Sequence, residues 1–445
     1  MTEGSIVKHI IAFSIPLLLG NFFQMLYNTV DTWVVGRFVS DEAFSAVGTL
    51  SSVTNLLISF FFGLSGGAGI VISQYFGAGK REKVNSAAHT AIAMTLILGV
   101  VFTIIGVLSV PLMLKILDMP VEVEREARIY LIIWFSGISG LMVYNVGSGI
   151  MRAVGDSTRP FIYLVFSTIS NTVLDIVFVL GFKMGTAGVA VATIIAQLLS
   201  AILVMISLAR ADSAVKLSVK DIKLDLPILS KIVIIGIPTA LQMSITSFSN
   251  IFVQSYINAF GTAGMGGWTA YVKIDQVANL PMQSLGIAAT TIVGQNLGKG
   301  YVDRAKKSAN TAFIMCFTCT LVLIIPIVVF APWLVAFFNE NAEIIEYGTL
   351  YIRLLTPFYL LWTVNSIYAG ALRGAGRSTS TMVIMLSSFV AFRQIYLFII
   401  SQIFNTPVSI ALSYPLGWLI ASVATVIYYN KCGLTPKAKK RIVLG

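Results

Sequence analysis

The stretch Gly149-Ile-Met-Arg-Ala-Val-Gly-Asp-Ser-Thr158 recurs 221 residues later as Gly370-Ala-Leu-Arg-Gly-Ala-Gly-Arg-Ser-Thr379. The same offset relates five further pairs of identical residues: Gln74 and Gln295, Gly77 and Gly298, Ala88 and Ala309, Pro111 and Pro332, and Tyr130 and Tyr351. Pro16 and Pro238 are related by an offset of 222, so the register slips by one residue in the first helices. This self-similarity predicts two copies of one folding unit.

The composition predicts a polytopic membrane protein. Of the 445 residues, 57% are hydrophobic and only 11% are charged, and the mean hydropathy is +0.87. A transmembrane helix needs about 20 mostly apolar residues, and long continuous runs exclude the alternating strands of a β-barrel. Divided at clusters of glycine, proline and charge, the sequence gives twelve segments: 9–36, 44–75, 86–114, 127–151, 160–181, 186–208, 229–257, 265–296, 305–337, 345–371, 379–403 and 408–430.

The repeat and the segments together predict an all-α protein with twelve transmembrane helices in two pseudo-symmetric six-helix bundles. The predicted boundaries are an N-lobe at 1–208, a polar cytoplasmic linker at 209–228, and a C-lobe at 229–445 that ends in a basic cytoplasmic tail. Six is an even number, so the two copies are parallel repeats related by an axis along the membrane normal. Transport by alternating access, through rocking of the two lobes, is the mechanism that this arrangement favours.

The distribution of basic residues predicts the topology. Of the 30 lysines and arginines, 22 fall on one side of the membrane, six on the other and two within it. Cytoplasmic loops retain the excess of positive charge, so we expect a multi-pass protein of the cell (plasma or inner) membrane with both termini in the cytoplasm. The same rule explains the net charge of +11, and we expect no nucleic-acid partner.

The sequence lacks the signatures of an ATP-driven pump or a cofactor enzyme. The strings Gly77-Ala-Gly-Lys-Arg81 and Gly298-Lys-Gly300 resemble a Walker motif but lack its first glycine and the serine or threonine that follows the lysine. Cys316 and Cys319 lie in an apolar helix, where core packing is their expected role. We therefore expect no enzymatic activity, no cofactor and no metal beyond a coupling Na⁺, with Na⁺ or H⁺ as the energy source.

Four polar residues of the N-lobe predict a cation or proton site. Asn171 and Asp175 lie four residues apart in the apolar run 161–182, so both project from one helix face. Counting about 1.5 Å per residue from the helix ends puts Asp31, Asp175 and Thr193 at the same depth, about 9–11 Å below the outer surface. Two buried carboxylates with neutral oxygen ligands suit a proton or a monovalent cation; hydrogen bonding between helices is the structural alternative.

The C-lobe does not repeat this site. The mapped positions of Asp31, Asn171, Asp175 and Thr193 are Val253, Phe392, Tyr396 and Tyr414. The C-lobe instead places charged residues within its helices. The same count puts Asp275 and Arg393 both about 15–17 Å deep, so we expect an Asp275–Arg393 pair, with structural pairing and cavity lining both open. The predicted substrate-cavity residues are Gln24, Tyr27, Gln242, Lys273, Asp275 and Arg393.

Pro16 is the predicted hinge. It lies inside the first helix, where proline removes a backbone hydrogen bond and kinks the helix. It also precedes Asp31 by fifteen residues, about four turns. A bend at Pro16 that responds to neutralisation of Asp31 is the functional interpretation, and kinked packing is the structural one.

Through these and neighbouring residues, the sequence resembles the multidrug and toxic compound extrusion (MATE) family over essentially the whole chain. The resemblance is carried by Ile15-Pro16, Leu26-Tyr-Asn-Thr-Val-Asp31-Thr32, Gln74-Tyr-Phe-Gly-Ala-Gly79, Arg152-Ala-Val-Gly-Asp156, Asn171-Thr-Val-Leu-Asp175, Ala192-Thr193, Lys273-Ile-Asp275 and Val293-Gly-Gln-Asn296. It implies a cation site at Asp31, Asn171, Asp175 and Thr193, a bend at Pro16, and Na⁺- or H⁺-coupled export of amphipathic, often cationic, compounds.

Two other functions are considered. A flippase for lipid-linked oligosaccharides usually has more helices and a strongly cationic cavity, whereas this chain buries only two basic residues. A non-transporting membrane scaffold explains the helices but not the carboxylates within them. We expect a monomer whose partners are drug-like small molecules and the lipid bilayer.

Overall fold

The computed structural model describes residues 1–211 and 214–434, so most of the predicted basic tail lies outside the described residues. In the described part every regular element is a helix. The first half contains α1 (Ile6–Phe38), α2 (Asp41–Gly77), α3 (Arg81–Ile116), α4 (Val121–Ala153), α5 (Thr158–Ile176) and α6 (Gly185–Ala209). The second contains α7 (Leu226–Asn258), α8 (Gly261–Gly298), α9 (Val302–Val329), α10 (Ala331–Ala336), α11 (Ala342–Leu355), α12 (Tyr359–Gly374), α13 (Ser378–Leu386), α14 (Arg393–Ile403), α15 (Pro407–Ala411) and α16 (Ser413–Cys432).

Short helical turns of other types join some of these helices. π-helical segments extend α5 at Val177–Gly181 and link α13 to α14 at Ser387–Phe392. A 3₁₀ turn at Thr356–Phe358 separates α11 from α12, because Pro357 has no N–H to continue an α-helical ladder. The predicted segments 305–337 and 345–371 are therefore each built from two helices.

Ten helical stretches of the described chain are long and apolar enough to cross a membrane. The two predicted segments that do not meet these criteria by themselves are 265–296 and 345–371. The first corresponds to α8, whose charged and amide side chains lower its hydropathy. The second corresponds to α11 and α12, which are individually short because of the 3₁₀ turn between them.

The chain divides into two compact units. The start of α1 belongs to the unit that holds the second half of the chain, and the start of α7 belongs to the unit that holds the first half. The N-unit is Leu19–Gly236, and the C-unit combines Met1–Leu18 with Ile237–Gly445. The chain thus leaves one unit and enters the other inside α1 and inside α7. Both crossings lie two residues from a proline, Pro16 in α1 and Pro238 in α7. The N-lobe, linker and C-lobe boundaries are defined by the repeat rather than by contacts, and they stay a prediction.

In the N-unit, α4 packs against α2, α3 and α6, and glycines let these helices approach closely. A Cβ atom on Gly137 would lie 2.3 Å from Ile194 Cγ1. The first part of α7 docks on α2 backbone to backbone, since a Cβ atom on Gly67 would lie 2.4 Å from Gly236 Cα. One turn earlier in α7, Lys231 Nζ donates a hydrogen bond of 2.8 Å to the Tyr75 hydroxyl.

In the C-unit, α8 packs against α9, α11 and α12 around two clusters of buried residues rich in aromatic rings. Trp268 lies edge-on to Tyr351 and also contacts Tyr414. The start of α1 joins this unit through Ile6 and Ile10, which belong to the same buried cluster as α8 residues. Apolar side chains from separate parts of the sequence therefore form one core.

The internal repeat recurs as an equivalent helix contact in each unit. In the N-unit, Ser65 Oγ on α2 donates to the Asn145 carbonyl on α4 at 2.8 Å. In the C-unit, Ser366 Oγ on α12 donates to the Met282 carbonyl on α8, also at 2.8 Å. The offset of 221 relates Asn145 to Ser366, so the serine has moved to the opposite helix while the contact is retained.

The linker before α7 is fixed to α3 rather than extended into solvent. Asn85 Nδ2 donates to the Lys216 carbonyl at 2.7 Å, and His89 Nε2 accepts from the Ser218 N–H at 3.0 Å. His89 is only 3% exposed, and its other ring nitrogen, Nδ1, contacts the Asn85 carbonyl at 2.9 Å. Asp225 then accepts from Ile228 N–H at the start of α7, where a carboxylate stabilises a helix N-terminus.

The first residues of the chain are held against the start of α9. Glu3 forms an ion pair of 2.7 Å with Lys299, and Arg304 Nη2 donates to the Gly4 carbonyl at 2.8 Å. The ion pair is exposed, so solvent screens it strongly.

Candidate ion-binding site

Three helices of the N-unit supply the four predicted site residues. Asp31 lies in α1, Asn171 and Asp175 lie in the last three turns of α5, and Thr193 lies in α6. The i,i+4 spacing places Asn171 and Asp175 one above the other. Because α5 packs against α6, this face is directed toward Thr193.

The structure brings all four residues together. With the Asn171 amide nitrogen facing the carboxylates, it donates to Asp31 Oδ1 at 2.7 Å and to Asp175 Oδ2 at 3.3 Å. The opposite orientation would turn the amide oxygen toward acceptors only. Thr193 Oγ1 donates to Asp31 Oδ2 at 3.3 Å, and the Asp31 and Asp175 carboxylates lie close enough to interact directly.

The site is buried and carries no basic partner. Asn171 and Asp175 are 0% exposed and Thr193 is 5% exposed. Within the described ranges, no nitrogen of lysine, arginine or histidine lies within 4.0 Å of either carboxylate. Asp175 Oδ1 is enclosed and has no hydrogen-bond partner among the described residues. Two acids can share such an enclosed space only if a proton or a cation offsets their charge.

Two tyrosines lie near the acids. Tyr27 is 6% exposed and lies one turn before Asp31 on α1. Tyr130, on α4, lies within electrostatic range of both Asp31 and Asp175. The sequence marked Tyr130 only as a member of the repeat, because no spacing rule relates the rotation of α4 to that of α1. Low polarity on this side strengthens every electrostatic interaction in the site.

A π-helical segment begins two residues after Asp175. Within Val177–Gly181 the backbone makes i,i+5 bonds, of which Phe182 N–H to the Val177 carbonyl, 3.0 Å, is one. Such wide turns displace the helix face by a fraction of a turn, and they recur at functional sites. The apolar run at 161–182 did not indicate this irregularity.

Pro16 lies inside α1, which continues as a helix from Ile6 to Phe38. Its position two residues before the boundary between the units is the structural feature that bears on a hinge. The hinge itself stays a prediction.

Two expectations for the C-lobe are wrong. Asp275 and Arg393 do not form an ion pair; Asp275 instead accepts from the Tyr271 hydroxyl at 3.5 Å, and Arg393 donates to Ser249 and Asn250 on α7. Lys273 is exposed rather than buried, because a separation of two residues turns it about 200° around α8 from Asp275. Equal depth in the sequence therefore did not translate into contact.

The remaining predicted cavity residues differ in exposure. Gln24 is exposed in the N-unit. Gln242 is half-buried in the C-unit, and its Oε1 is enclosed without a hydrogen-bond partner among the described residues. Arg393 is 3% exposed. A substrate cavity formed by these residues stays a prediction.

The chain is similar to known proteins over nearly its whole length. The MatE family model matches residues 16–177 and again residues 238–399, which reproduces the internal repeat. The chain is 28% identical to a probable multidrug resistance protein of Bacillus subtilis, YpnP, with 96% of both chains covered. It is 26% identical to the probable multidrug resistance protein NorM of Thermotoga maritima, with 98% of this chain and 94% of the relative covered.

Solved structures confirm the predicted all-α fold of twelve transmembrane helices in two bundles. A MOP superfamily transporter from Pyrococcus furiosus superposes with a TM-score of 0.91 at 23% identity, over 96% of both chains. An outward-facing multidrug resistance MATE family transporter superposes with a TM-score of 0.90 at 23% identity, over 96% of both chains. The duplicated MatE match, covering most of the chain, shows that this protein belongs to the MATE family of membrane transporters.

Proposed function

We propose that this transporter exports amphipathic, often cationic, compounds by antiport against an ion that binds between Asp31 and Asp175. The observation that supports the proposal is the acid pair itself, in which Asp175 is fully buried with one unpartnered oxygen and Asp31 is half-buried. Neither acid has a basic neighbour among the described residues. Intramembrane acids without a permanent partner are expensive and mark ion or proton pathways. The relatives named as multidrug resistance proteins support the class of substrate.

The coupling ion is H⁺ or Na⁺, and the two ions require opposite orientations of the Asn171 amide. With its N–H toward the acids, Asn171 stabilises a carboxylate pair that shares a proton. With its oxygen toward the acids it supplies a ligand for Na⁺, since cations such as Na⁺ take oxygen ligands. The two ions predict different gradient dependences.

Ion binding changes the charge of the site, and this change provides the driving step. When a proton neutralises the pair, the cost of enclosing it falls and the surrounding helices can pack more tightly. When the proton leaves toward the cytoplasm, the repulsion returns and favours the alternative arrangement. Pro16, two residues before the boundary between the units, is the proposed hinge at which α1 changes direction between the two states.

We also propose that the protein acts as a monomer in the cell membrane, with both termini in the cytoplasm. The excess of lysine and arginine on one side of the twelve predicted segments supports this orientation. Labelling of single cysteines placed at Thr2 and at an outer loop residue such as Asp118 would check it.

The proposal is tested by dye efflux from proteoliposomes under an imposed pH or Na⁺ gradient. Asp31→Asn and Asp175→Asn keep the size of each side chain but remove the titratable oxygen, so we expect gradient-driven efflux to fall to background. Glu122→Gln, an exposed acid at the start of α4, is the matched control and should transport normally. Efflux driven by a pH gradient alone would assign H⁺, and efflux driven by a Na⁺ gradient alone would assign Na⁺.

Normal efflux by both Asn variants would refute the site. Movement of a fluorescent lipid without any gradient would favour the flippase alternative, and no flux of any probe would favour a scaffold. Each variant is first checked for folding by its thermal unfolding profile, so that loss of transport is not confused with loss of structure.

A further inference from the structure

Arg393 is a buried cation without an acidic partner. It is 3% exposed and lies at the start of α14. Its Nη2 donates to Ser249 Oγ at 2.7 Å and to Asn250 Oδ1 at 2.8 Å, and both acceptors are neutral. No carboxylate oxygen of the described chain lies within 4.0 Å of its guanidinium. A buried positive charge that has only neutral acceptors is not compensated, so the binding of an anion beside it is electrostatically favourable.

One edge of this guanidinium remains available. Nη2 makes both hydrogen bonds, and Nε is enclosed without a partner, which leaves Nη1 as the accessible nitrogen. Asn250 is exposed and uses its oxygen to accept from Arg393, and in the described part of the chain its amide nitrogen has no acceptor. Arg393 Nη1 and Asn250 Nδ2 are thus two donors at one edge, a pattern that suits an oxyanion.

Asn250 belongs to a polar stripe along α7. The stripe runs at every fourth residue and consists of Gln242, Thr246, Asn250, Gln254 and Asn258. Neighbours at this spacing lie one above the next, and the row winds slowly around the helix. Polar side chains on a membrane-spanning helix are expected to face protein or water rather than lipid, and this row includes Asn250, an acceptor for Arg393.

The other side of the guanidinium is aromatic. Its central carbon lies 4.8 Å from the centre of the Tyr414 ring, and Tyr414 contacts Trp268 and Trp418 in turn. Stacking on Tyr414 holds the guanidinium plane in place. A fixed plane loses less entropy when it binds an anion than a free arginine would.

We propose that Arg393 and Asn250 form an anion subsite of the C-unit, which takes the carboxylate of an amphipathic aromatic substrate. The proposal rests on the proposed export function and extends its substrate class from cations to carboxylates. The carboxylate accepts from Arg393 Nη1 and from Asn250 Nδ2, while the apolar part of the compound lies along α7.

Direct binding to purified protein in detergent tests the subsite without requiring transport. The probes are carboxyfluorescein and rhodamine 123, which share a xanthene ring system but differ in charge, and fluorescence polarisation reports their affinities. Arg393→Gln should weaken carboxyfluorescein binding by about tenfold to a hundredfold, as expected for loss of a charged hydrogen bond. Rhodamine binding should be unchanged or tighter. Arg353→Gln, an exposed arginine of the same unit, is the matched control and should change neither affinity.

A second variant avoids any dependence on the folding of Arg393→Gln. Asn250→Asp keeps the oxygen that Arg393 already contacts and replaces the free amide nitrogen with a second oxygen. The new carboxylate should pair with Arg393, leave the thermal stability unchanged or raise it, and abolish carboxyfluorescein binding. Arg393→Lys, which keeps the charge but loses the planar fork, should restore part of the affinity that Arg393→Gln loses.

The outcomes separate this proposal from the proposed function. Asp31→Asn should eliminate coupled efflux but leave carboxyfluorescein affinity intact, because the two sites lie in different units. Wild-type protein that does not bind carboxyfluorescein, or Asn250→Asp protein that still binds it, would overturn the subsite. An equal loss of both dyes in Arg393→Gln would show that Arg393 only supports the fold.

Discussion

Gly67 makes the tightest interhelical approach between α2 and the first part of α7, and its replacement by alanine has a calculable cost. A Cβ atom there would lie 2.4 Å from Gly236 Cα, 2.6 Å from Gly236 N and 2.8 Å from the Ile232 carbonyl oxygen. All three are backbone atoms and cannot move aside by changing rotamer. Ordinary carbon–carbon contacts are about 3.5–4.0 Å, so the two helices must separate by about 1 Å.

The adjacent Gly66 provides the matched control, because a Cβ atom on it would have nothing within 4 Å. Alanine gains about 1 kcal/mol over glycine inside a helix, whereas overpacking costs about 1–3 kcal/mol. Because the contacts at Gly67 are with backbone atoms, the upper part of the overpacking range, about 2–3 kcal/mol, applies. The net effect of Gly67→Ala is therefore a loss of about 1–2 kcal/mol, while Gly66→Ala gains up to about 1 kcal/mol.

The assay is thermal unfolding of the purified variants, followed by intrinsic tryptophan fluorescence at one heating rate. For a unit of about 220 residues, 1 kcal/mol corresponds to about 2 °C in Tm. We expect Gly67→Ala to unfold about 2–4 °C below the wild type, and Gly66→Ala to unfold at the same temperature or up to about 2 °C above it. Equal Tm values for the two variants would show that the close packing of α7 on α2 is not rigid, and the steric argument would fail.

Three further predictions concern the linker, the amino terminus and the hinge. His89→Ala should free the linker at Ser218 and accelerate tryptic cleavage after the nearby lysines severalfold, as measured by limited proteolysis at pH 8. The hydrogen bond to Lys299 lowers the pKa of Glu3, so its small stabilising effect is present above the ordinary pKa of glutamate and is lost as the pH falls. Thermal unfolding of wild type and Glu3→Gln at low salt should therefore differ at about pH 6 and converge as the pH falls below about 4. Pro16→Ala should slow dye efflux from proteoliposomes while leaving dye affinity in detergent unchanged; normal efflux would remove the hinge.

Most of the helical architecture could be predicted from the sequence because hydrophobic length and the repeat are strong signals. The prediction for 9–36 lies within α1, and 186–208 lies within α6. The breaks inside longer segments were not predicted, although Pro357 marks one of them in retrospect. Tertiary contacts decide whether a proline kinks a helix or ends it, and Pro16 lies within a continuous helix.

The exchange of helix starts between the units could not be predicted from hydropathy. A span is equally apolar whichever neighbours it packs on, and the deciding contact is the approach of two glycines, Gly67 and Gly236. The sequence analysis divided the chain by its repeat and so placed the start of α1 with the N-lobe, whereas its contacts group it with the C-unit. The linker likewise looked like a solvated connection, and its bonds to Asn85 and His89 depend on tertiary contact.

Counting residues along the helices predicted contacts that exist in the N-unit but not in the C-unit. The count puts Asp31, Asp175 and Thr193 at one depth, the i,i+4 pair in α5 fixes part of their orientation, and the structure brings them together. The count also puts Asp275 and Arg393 at similar depths, yet the two residues have different partners. Counting residues gives the position along a helix axis, whereas the direction of a side chain depends on packing that the sequence does not state.

The repeat relates the acid pair of the N-unit to Arg393 of the C-unit. The offset of 221 maps Thr172 onto Arg393 and Asp175 onto Tyr396, so equivalent helices carry an unpaired acid in one unit and an unpaired base in the other. Duplication by itself would conserve the sign of a buried charge, because each copy would face the same cost of enclosing it. Opposite signs at neighbouring positions of one repeated helix are expected when the copies bind different groups, a coupling ion in the N-unit and an anionic group in the C-unit.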